Sequence, residues 1–539
     1  MFAGTWTLIK LILRRDRVKL PIWIVGIVGL LLSMIPMLRD VYGDTASLES
    51  LYQTFGTNPA GLFLTGPMDG PTFGSLMTIE TLLWWGLAIA FMNTMLVVRH
   101  TRQNEESGAQ ELLLSGQVHR RTGLVAVMAV AVVVNAIVAV GLGLGMALEP
   151  SWGVDQAWLF AISMGVFGMV WAVIAAIVVQ LVESARTANG LLAALVGGAF
   201  LLRGIGDFMG KADASGLVQP SWPSWLSPFG WLQASRPLTY PEWWPLIIAG
   251  VFIVVAMPAA FFLLGRRDVG AGLLPSRKGK ARAASFLRTP LGLAWYLQKS
   301  IFIGWLIGVL VLVIIIGALV PEMTTVYESS QNMQLLIEAM GGTGALVPAF
   351  LSAMLSITIL MVLAYAVHAL GKLRSEESSG HLEGVLATTL SRTKWIVLHM
   401  GIVVGCGAAM LALSGAILAV SVNMVSDFHA SIGDYTLAGV SYLPLYMVFV
   451  GMYVLLFGVL PRTAGFVTWL YYGFVAFMAW LGPILKLDQW VLDLSIMAHL
   501  PAAPAESIES APLIVMLMVA VVLIIAGCVF WRRRNLLER

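Results

Sequence analysis

RQNEESGAQELLLSGQVHRR (102–121) and RSEESSGHLEGVLATTLSR (374–392) are two islands of charge in a chain that is otherwise nearly all apolar. Each sits between two apolar runs long enough to cross a bilayer. Arg102, Glu105, Gly108, Glu111 and Arg120 of the first island return as Arg374, Glu377, Gly380, Glu383 and Arg392 of the second, each displaced by 272 residues. Five matches at one offset point to an internal duplication. Working outward, SARTANG (184–190) is echoed by LPRTAGF (460–466), Gly-Arg-Arg-Asp (265–268) by Trp-Arg-Arg-Arg-Asn (531–535), and Pro245-Leu246-Ile247 by Pro512-Leu513-Ile514. Their offsets differ by a few residues, as loop insertions produce.

Composition fixes the solvent. Of 539 residues, 59% are hydrophobic and 11% charged, with a mean hydropathy of +0.86; soluble domains carry about 25% charged residues. Burying this much apolar surface calls for lipid, so the chain reads as an all-α polytopic membrane protein. A helix needs about 20 apolar residues to cross the hydrocarbon core. Twelve runs qualify: 20–38, 76–98, 124–147, 158–182, 190–209, 245–265, 301–320, 348–370, 395–423, 438–460, 465–485 and 512–531. The first is long enough to be retained as a span rather than cleaved as a signal peptide. Cys406 and Cys528 both lie in apolar runs and make no metal or redox motif.

An even number of spans puts both termini on one side, and Lys and Arg choose which. With the termini cytoplasmic, every one of the 32 Lys and Arg residues except Arg39, Arg203, Lys211, Arg236 and Lys486 falls on the inner side or at an inner helix end. The chain therefore divides into a first half (1–268), a basic linker (269–282, VGAGLLPSRKGKAR) and a second half (283–539), six spans each and in parallel orientation. Parallel repeats suggest a pathway between the halves. Each half opens on an interfacial segment. Phe2, Trp6, Ile9 and Leu13 share one helical face within 2–17, with Lys10, Arg14 and Arg17 on another. Leu287, Leu291 and Trp295 in 284–300 are a weaker counterpart.

The two charged loops span 99–123 and 372–394. In the first, Glu106 and Gln110 stand one turn apart, Ala109, Leu112 and Leu113 make an apolar face, and Gly116 is a stop signal. Leu382, Val385 and Leu386 occupy the matching face of the second. A helix repeated in register on the inner side suits docking of another protein; a solvated connector is the plainer alternative.

The E-E-x-G-x-x-E loop, the Gly-Arg-Arg-Asp that closes the first half and SPFGWLQASRPLTYPEWWPL (227–246) carry a family resemblance. The chain resembles the permease subunits of type 2 ABC exporters, whose fold is also called type V, and among them the fused twelve-span, tetronasin-resistance-like group described as exporters of polyketide antibiotics. The resemblance covers nearly the whole chain. The second loop departs from the pattern, with one extra residue between Glu376-Glu377 and Gly380, so that only Glu377 is in register with Glu105. The second half also has no clear WWPL counterpart. The resemblance implies that 2–17 is an elbow helix and that the two charged loops are coupling helices. Arg102, Glu105, Glu106, Gly108, Glu111, Arg120, Arg374, Glu377, Gly380, Glu383 and Arg392 would then receive work from a separate ABC ATPase present in two copies. That partner, not this chain, would bind ATP and Mg. No G-x-x-x-x-G-K-[ST] phosphate loop occurs here; the nearest string, Ala369-Leu370-Gly371-Lys372-Leu373, lacks its first glycine and its hydroxyl.

The resemblance also implies that the second and fifth spans of each half line the substrate cavity. The residues there suit a bulky hydrophobic small molecule: Glu80, Trp84, Trp85, Met92 and Asn93, Arg203 and Asp207, and Trp469, Tyr472, Phe477 and Trp480. Aromatic residues at helical spacing also serve as packing or lipid-belt residues. Arg203 and Asp207 are four apart and read first as a structural ion pair near the outer end, with gating as the alternative. His368 and His399 lie near inner ends. The long outer loops, 39–75 and 210–244, are rich in Gly, Pro and Trp and imply a small outer lid. No nucleic-acid signature, metal cluster or nucleophile triad appears. The expectation is an exporter permease in the bacterial plasma membrane, surrounded by lipid. An ion-coupled twelve-span secondary transporter and an ABC exporter of lipid or envelope precursors are the alternatives.

Overall fold

The computed structural model describes residues 4–56, 59–116, 119–213, 217–274, 282–321, 346–426, 428–481, 489–500 and 503–536. The chain forms two compact units, an N-unit (Met1–Gly279) and a C-unit (Lys280–Arg539), divided inside the basic linker. Each has its own apolar core, built around residues such as Ile89, Val134 and Phe160 in the first and Val313, Leu363 and Phe449 in the second.

Among the described residues, eleven helices are long and apolar enough to cross a membrane. Six are in the N-unit: Lys19–Tyr42, Phe73–Glu106, Arg120–Met146, Val154–Leu181, Ala185–Phe208 and Trp244–Arg266. Five are in the C-unit: Pro290–Ala318, Val347–Ser378, Arg392–Val425, Ile432–Val459 and Ser510–Arg533. The expected run at 465–485 is an 18-residue helix, Ala464–Leu481, roughly 27 Å long at 1.5 Å per residue and close to the ~30 Å hydrocarbon thickness. Residues 482–485 of that run lie outside the described ones. A two-residue antiparallel pairing, Lys211–Ala212 with Val218–Gln219, is the one departure from all-helical structure among the described residues.

The two units pack their spans in the same pairs: first on third, second on fourth, third on fourth, and fourth on sixth. In each, the second and fourth spans bury most of their side chains, whereas the first and sixth bury few. The apolar residues left outward, such as Ile22, Val25 and Val254 in the N-unit and Ile307, Val522 and Ile525 in the C-unit, are what lipid would cover. Small residues allow the close contacts. A Cβ on Gly168 in the fourth span would stand 2.0 Å from Asn135 Oδ1. There Asn93 of the second span and Asn135 of the third exchange amide hydrogen bonds of 3.1 and 2.7 Å. Apolar surroundings make such a reciprocal pair costly to break.

Several expectations are corrected. The N-terminal helix runs Thr5–Arg15, shorter than the expected 2–17; it turns Leu8 and Ile12 against the unit and leaves Trp6 and Leu13 of the expected apolar face exposed. Phe2 lies outside the described residues. The helix stops at Asp16, whose buried carboxylate is held by Arg99 at 2.9 Å and His100 at 2.5 Å. The C-unit has no such break. Its opening is a 3₁₀ turn, Ser285–Arg288, followed by one unbroken helix, Pro290–Ala318. Pro290 at the first turn and the Thr289 side-chain cap start that helix at the interface, and no proline interrupts it afterwards.

The N-unit loops between the first and second spans and between the fifth and sixth fold into short helices, Thr45–Phe55, Pro59–Thr65, Trp222–Trp225 and Pro228–Ala234. The counterpart at 322–345 in the C-unit lies outside the described residues.

Candidate functional site

The charged loops do not form single continuous helices. Arg102–Glu106 is followed by Ala109–Leu114 across Gly108, whose φ is +72°. In the C-unit the second span continues to Ser378 and is followed by His381–Leu386 across Gly380, φ +75°. Both glycines take the left-handed conformation that costs a side-chain-bearing residue about 1–2 kcal/mol. This is the physical reason for glycine in the repeated motif.

What holds each turn in place is a carboxylate gripped by an arginine from the far end of the unit. Glu105 accepts from Arg267, Nη1 to Oε2 at 2.8 Å and Nη2 to Oε1 at 2.5 Å, and from Arg102 Nη1 at 2.8 Å. Arg102 is wholly buried and also donates to the carbonyls of Val179, 2.6 Å, and Ala271, 2.8 Å. Arg267 donates Nε to Gln180, 2.6 Å, and its own carbonyl accepts from Arg120. The C-unit repeats the arrangement. Glu377 accepts from Arg534 at 2.7 and 2.8 Å, Arg374 stands 3.5 Å away, and Arg392 donates to the Arg534 carbonyl at 2.7 Å. Where the N-unit uses Gln180, the C-unit stacks aromatics: the Arg534 guanidinium lies over Trp531 and Phe457, 4.6 and 5.0 Å from their ring centroids. Planar, bidentate arginine–carboxylate pairs fix orientation as well as charge.

The expected site residues therefore divide. Arg102, Glu105 and Arg120 point inward and, with Arg267, brace one loop; Arg374, Glu377 and Arg392, with Arg534, brace the other. Exposed at the tips are Glu111 and Leu112 in the N-unit and Glu383 and Gly384 in the C-unit. Glu106 is exposed too, but its Oε1 accepts from the Ala185 amide at the start of the fifth span, 2.8 Å. Sequence reasoning placed Arg267 and Arg534 only as repeat markers; the shared Arg-Arg at the close of each half was the available signal.

Of the expected cavity residues in the N-unit, Met92 and Asn93 are buried, and Asn93 is committed to Asn135. Glu80 is partly exposed and sits in a π-helical turn, Thr78–Leu82, a local widening frequent at functional sites. Trp84 is exposed and leans on Phe200 of the fifth span, ring centroids 5.9 Å apart; Trp85 is half-buried. Beside its charged turn the N-unit has a cleft of about 410 Å³ between the first, second and fifth spans. Trp23, Met92, Met95 and Leu96 give it apolar walls, and Lys19, Arg99 and Glu106 give it a charged rim. In the C-unit, Trp469 and Phe477 are exposed and Tyr472 meets Trp469 edge-on at 5.3 Å. The Trp480 side chain lies outside the described residues.

Arg203 and Asp207 form a buried ion pair of 3.1 Å on the fifth span. Arg203 also donates to the carbonyls of Phe63, 2.8 Å, and Leu64, 3.1 Å, while Asp207 accepts from Ser224, 2.7 Å, and Gln233, 2.9 Å. The pair thus ties three short helices, Pro59–Thr65, Trp222–Trp225 and Pro228–Ala234, to the span. Among the described residues, no group of three His, Cys, Asp or Glu is placed to hold a metal ion.

Long apolar helices in two separate cores, with braced charged turns, define a polytopic membrane protein. The comparisons specify the family. The profile of the C-terminal domain of multidrug efflux system permease Rv1217c matches residues 287–532. Over 540 aligned positions the chain is 31% identical to multidrug efflux system permease protein Rv1217c of Mycobacterium tuberculosis (strain ATCC 25618 / H37Rv), covering 99% of this chain and 95% of that protein. The chain belongs to this family of efflux permeases.

Proposed function

We propose that this chain is the membrane-spanning subunit of an ATP-driven exporter that moves hydrophobic or amphiphilic drug-like compounds, polyketides among them, out of the cell. The observation that carries the reading is the repeated clamp: Glu105–Arg267 and Glu377–Arg534 each hold a short exposed helix, Ala109–Leu114 or His381–Leu386, in one fixed pose. A rigid exposed turn braced to the ends of several spans is what a partner must push to move those spans. Two copies of an ABC ATPase, holding ATP and Mg, dock on these turns from the cytoplasm. Both termini are cytoplasmic in the plasma membrane, and the twelve spans are two six-span repeats of the type 2 exporter fold. The relative's name supports drugs as cargo. The N-unit cleft, with methionine walls and a rim of both charges, fits varied amphiphiles.

The test is transport in sealed vesicles containing the permease and the ABC ATPase co-expressed from its own genome. ATP-dependent, proton-gradient-insensitive dye export is expected. Export by the permease alone, driven by a proton gradient, would mean a secondary transporter instead.

A further inference from the structure

The C-unit contains a cavity of about 280 Å³ where its opening helix crosses the second charged turn. Leu293, Leu297, Leu382, Val385 and Leu398 supply apolar walls, and His381, His399 and Glu376 the polar groups. The equivalent place in the N-unit, between Leu8, Leu11 and Ile12 of the elbow helix and Leu113 of the turn, holds only about 30 Å³. The difference follows from the chain path. The N-unit elbow is a separate helix laid against its turn, whereas the C-unit opening belongs to a straight span.

The cavity exceeds the ~150 Å³ at which an apolar void takes up benzene, and at ~30 Å³ per water-sized group it has room for roughly nine heavy atoms. Its charge is already committed. Glu376 pairs with Lys372 at 2.8 Å and has His381 at 3.7 Å, His381 Nδ1 is bonded to the Ser379 hydroxyl at 3.0 Å, and His399 Nδ1 accepts from Gln298 at 3.0 Å. A charged ligand would find no free counter-charge there, while an uncharged one gains apolar burial and a small polar neighbourhood for a hydroxyl.

We propose that this cavity binds the tail or ring of an uncharged amphiphile, a medium-chain alcohol being the simplest case, and that the occupant props His381–Leu386 against the first span of the C-unit. The effect on coupling rests on the transport reading above; the binding does not. The experiment uses the full chain in lipid nanodiscs, a diazirine analogue of 1-hexanol, and peptide mapping after photolysis. Saturable labelling is expected in 290–298 and 382–399, competed by unlabelled 1-hexanol. Val385→Phe and Leu390→Phe, two independent ways of filling the space, should each reduce it at least fivefold, and Leu113→Phe in the N-unit should not. Labelling that rises linearly with probe, or that persists in whichever filled variants fold, overturns the proposal. No ATPase is needed, so a failed transport reading leaves the result interpretable.

Discussion

Arg267 and Glu105, 162 residues apart in the chain, meet through two parallel hydrogen bonds, and Arg534 meets Glu377 across 157 residues in the same way. Both pairs are nearly sealed from solvent. Removing Arg267 leaves Glu105 with Arg102 alone, and removing Arg534 leaves Glu377 with Arg374 at 3.5 Å; each lost hydrogen bond to a charged group costs about 1.5–3 kcal/mol. Arg267→Ala and Arg534→Ala should each lower the apparent Tm of the detergent-solubilised protein markedly. With no residue shared between the clamps, the double variant should lose the sum of the two. A Tm within a degree of wild type in either single variant would show that its clamp does not hold the fold.

The exposed tips should behave in the opposite way. Glu111→Lys with Glu383→Lys touches no buried partner, so stability should move by no more than about 0.5 kcal/mol. Recovery of the ATPase in a pull-down should fall severalfold. Unchanged recovery would place docking elsewhere.

At Gly108 an added Cβ meets no atom within 4 Å, so any cost of substitution is conformational. Gly108→Ala should destabilise the turn by about 1–2 kcal/mol and speed amide exchange across Ala109–Leu114. Gly108→Asn should recover part of the loss, because Asn tolerates the left-handed region better. Equal exchange in all three proteins would mean that the turn carries no such requirement.

The Asn93–Asn135 exchange separates packing from ligand contact. Asn93→Leu alone leaves a buried amide unpaired, at about 1–3 kcal/mol. Adding Asn135→Leu should restore much of the thermal stability and leave export at the wild-type level. A folded double variant with altered substrate preference would reassign Asn93 to the pathway.

Arg203→Ala removes the donor that serves the Phe63 and Leu64 carbonyls as well as Asp207. Added protease should then cut the outer segments 39–75 and 210–244 in intact cells, with the inner loops protected. Asp207→Asn, which can still accept from Ser224, should open them less. Indistinguishable digestion of wild type and Arg203→Ala would count against the outer tie.

The spans were readable because lipid imposes one crude demand, about 20 apolar residues in a row. The charged loops were readable because Arg102, Glu105, Gly108, Glu111 and Arg120 return at a single offset. The direction those side chains take was not. Composition made Glu105 look like part of a docking face, yet its partner Arg267 is 162 residues away, and no local pattern reveals so distant a pairing. Periodicity also predicted one helix where Gly108 permits a left-handed kink, and gave the C-unit a separate elbow because spacing by four looks the same in a short helix and in the first turns of a long one. Asn93 read as a cavity residue because only its neighbour Asn135 shows that it is consumed in packing.

The Pro290–Ala318 rod has a mechanical corollary. Its 29 residues make a stiff strut about 43 Å long, while the matching stretch of the N-unit is jointed at Asp16. If a partner pushes both turns alike, as proposed above, the push would travel the full length of the strut in the C-unit and be partly taken up by bending in the N-unit, so the two units would respond unequally.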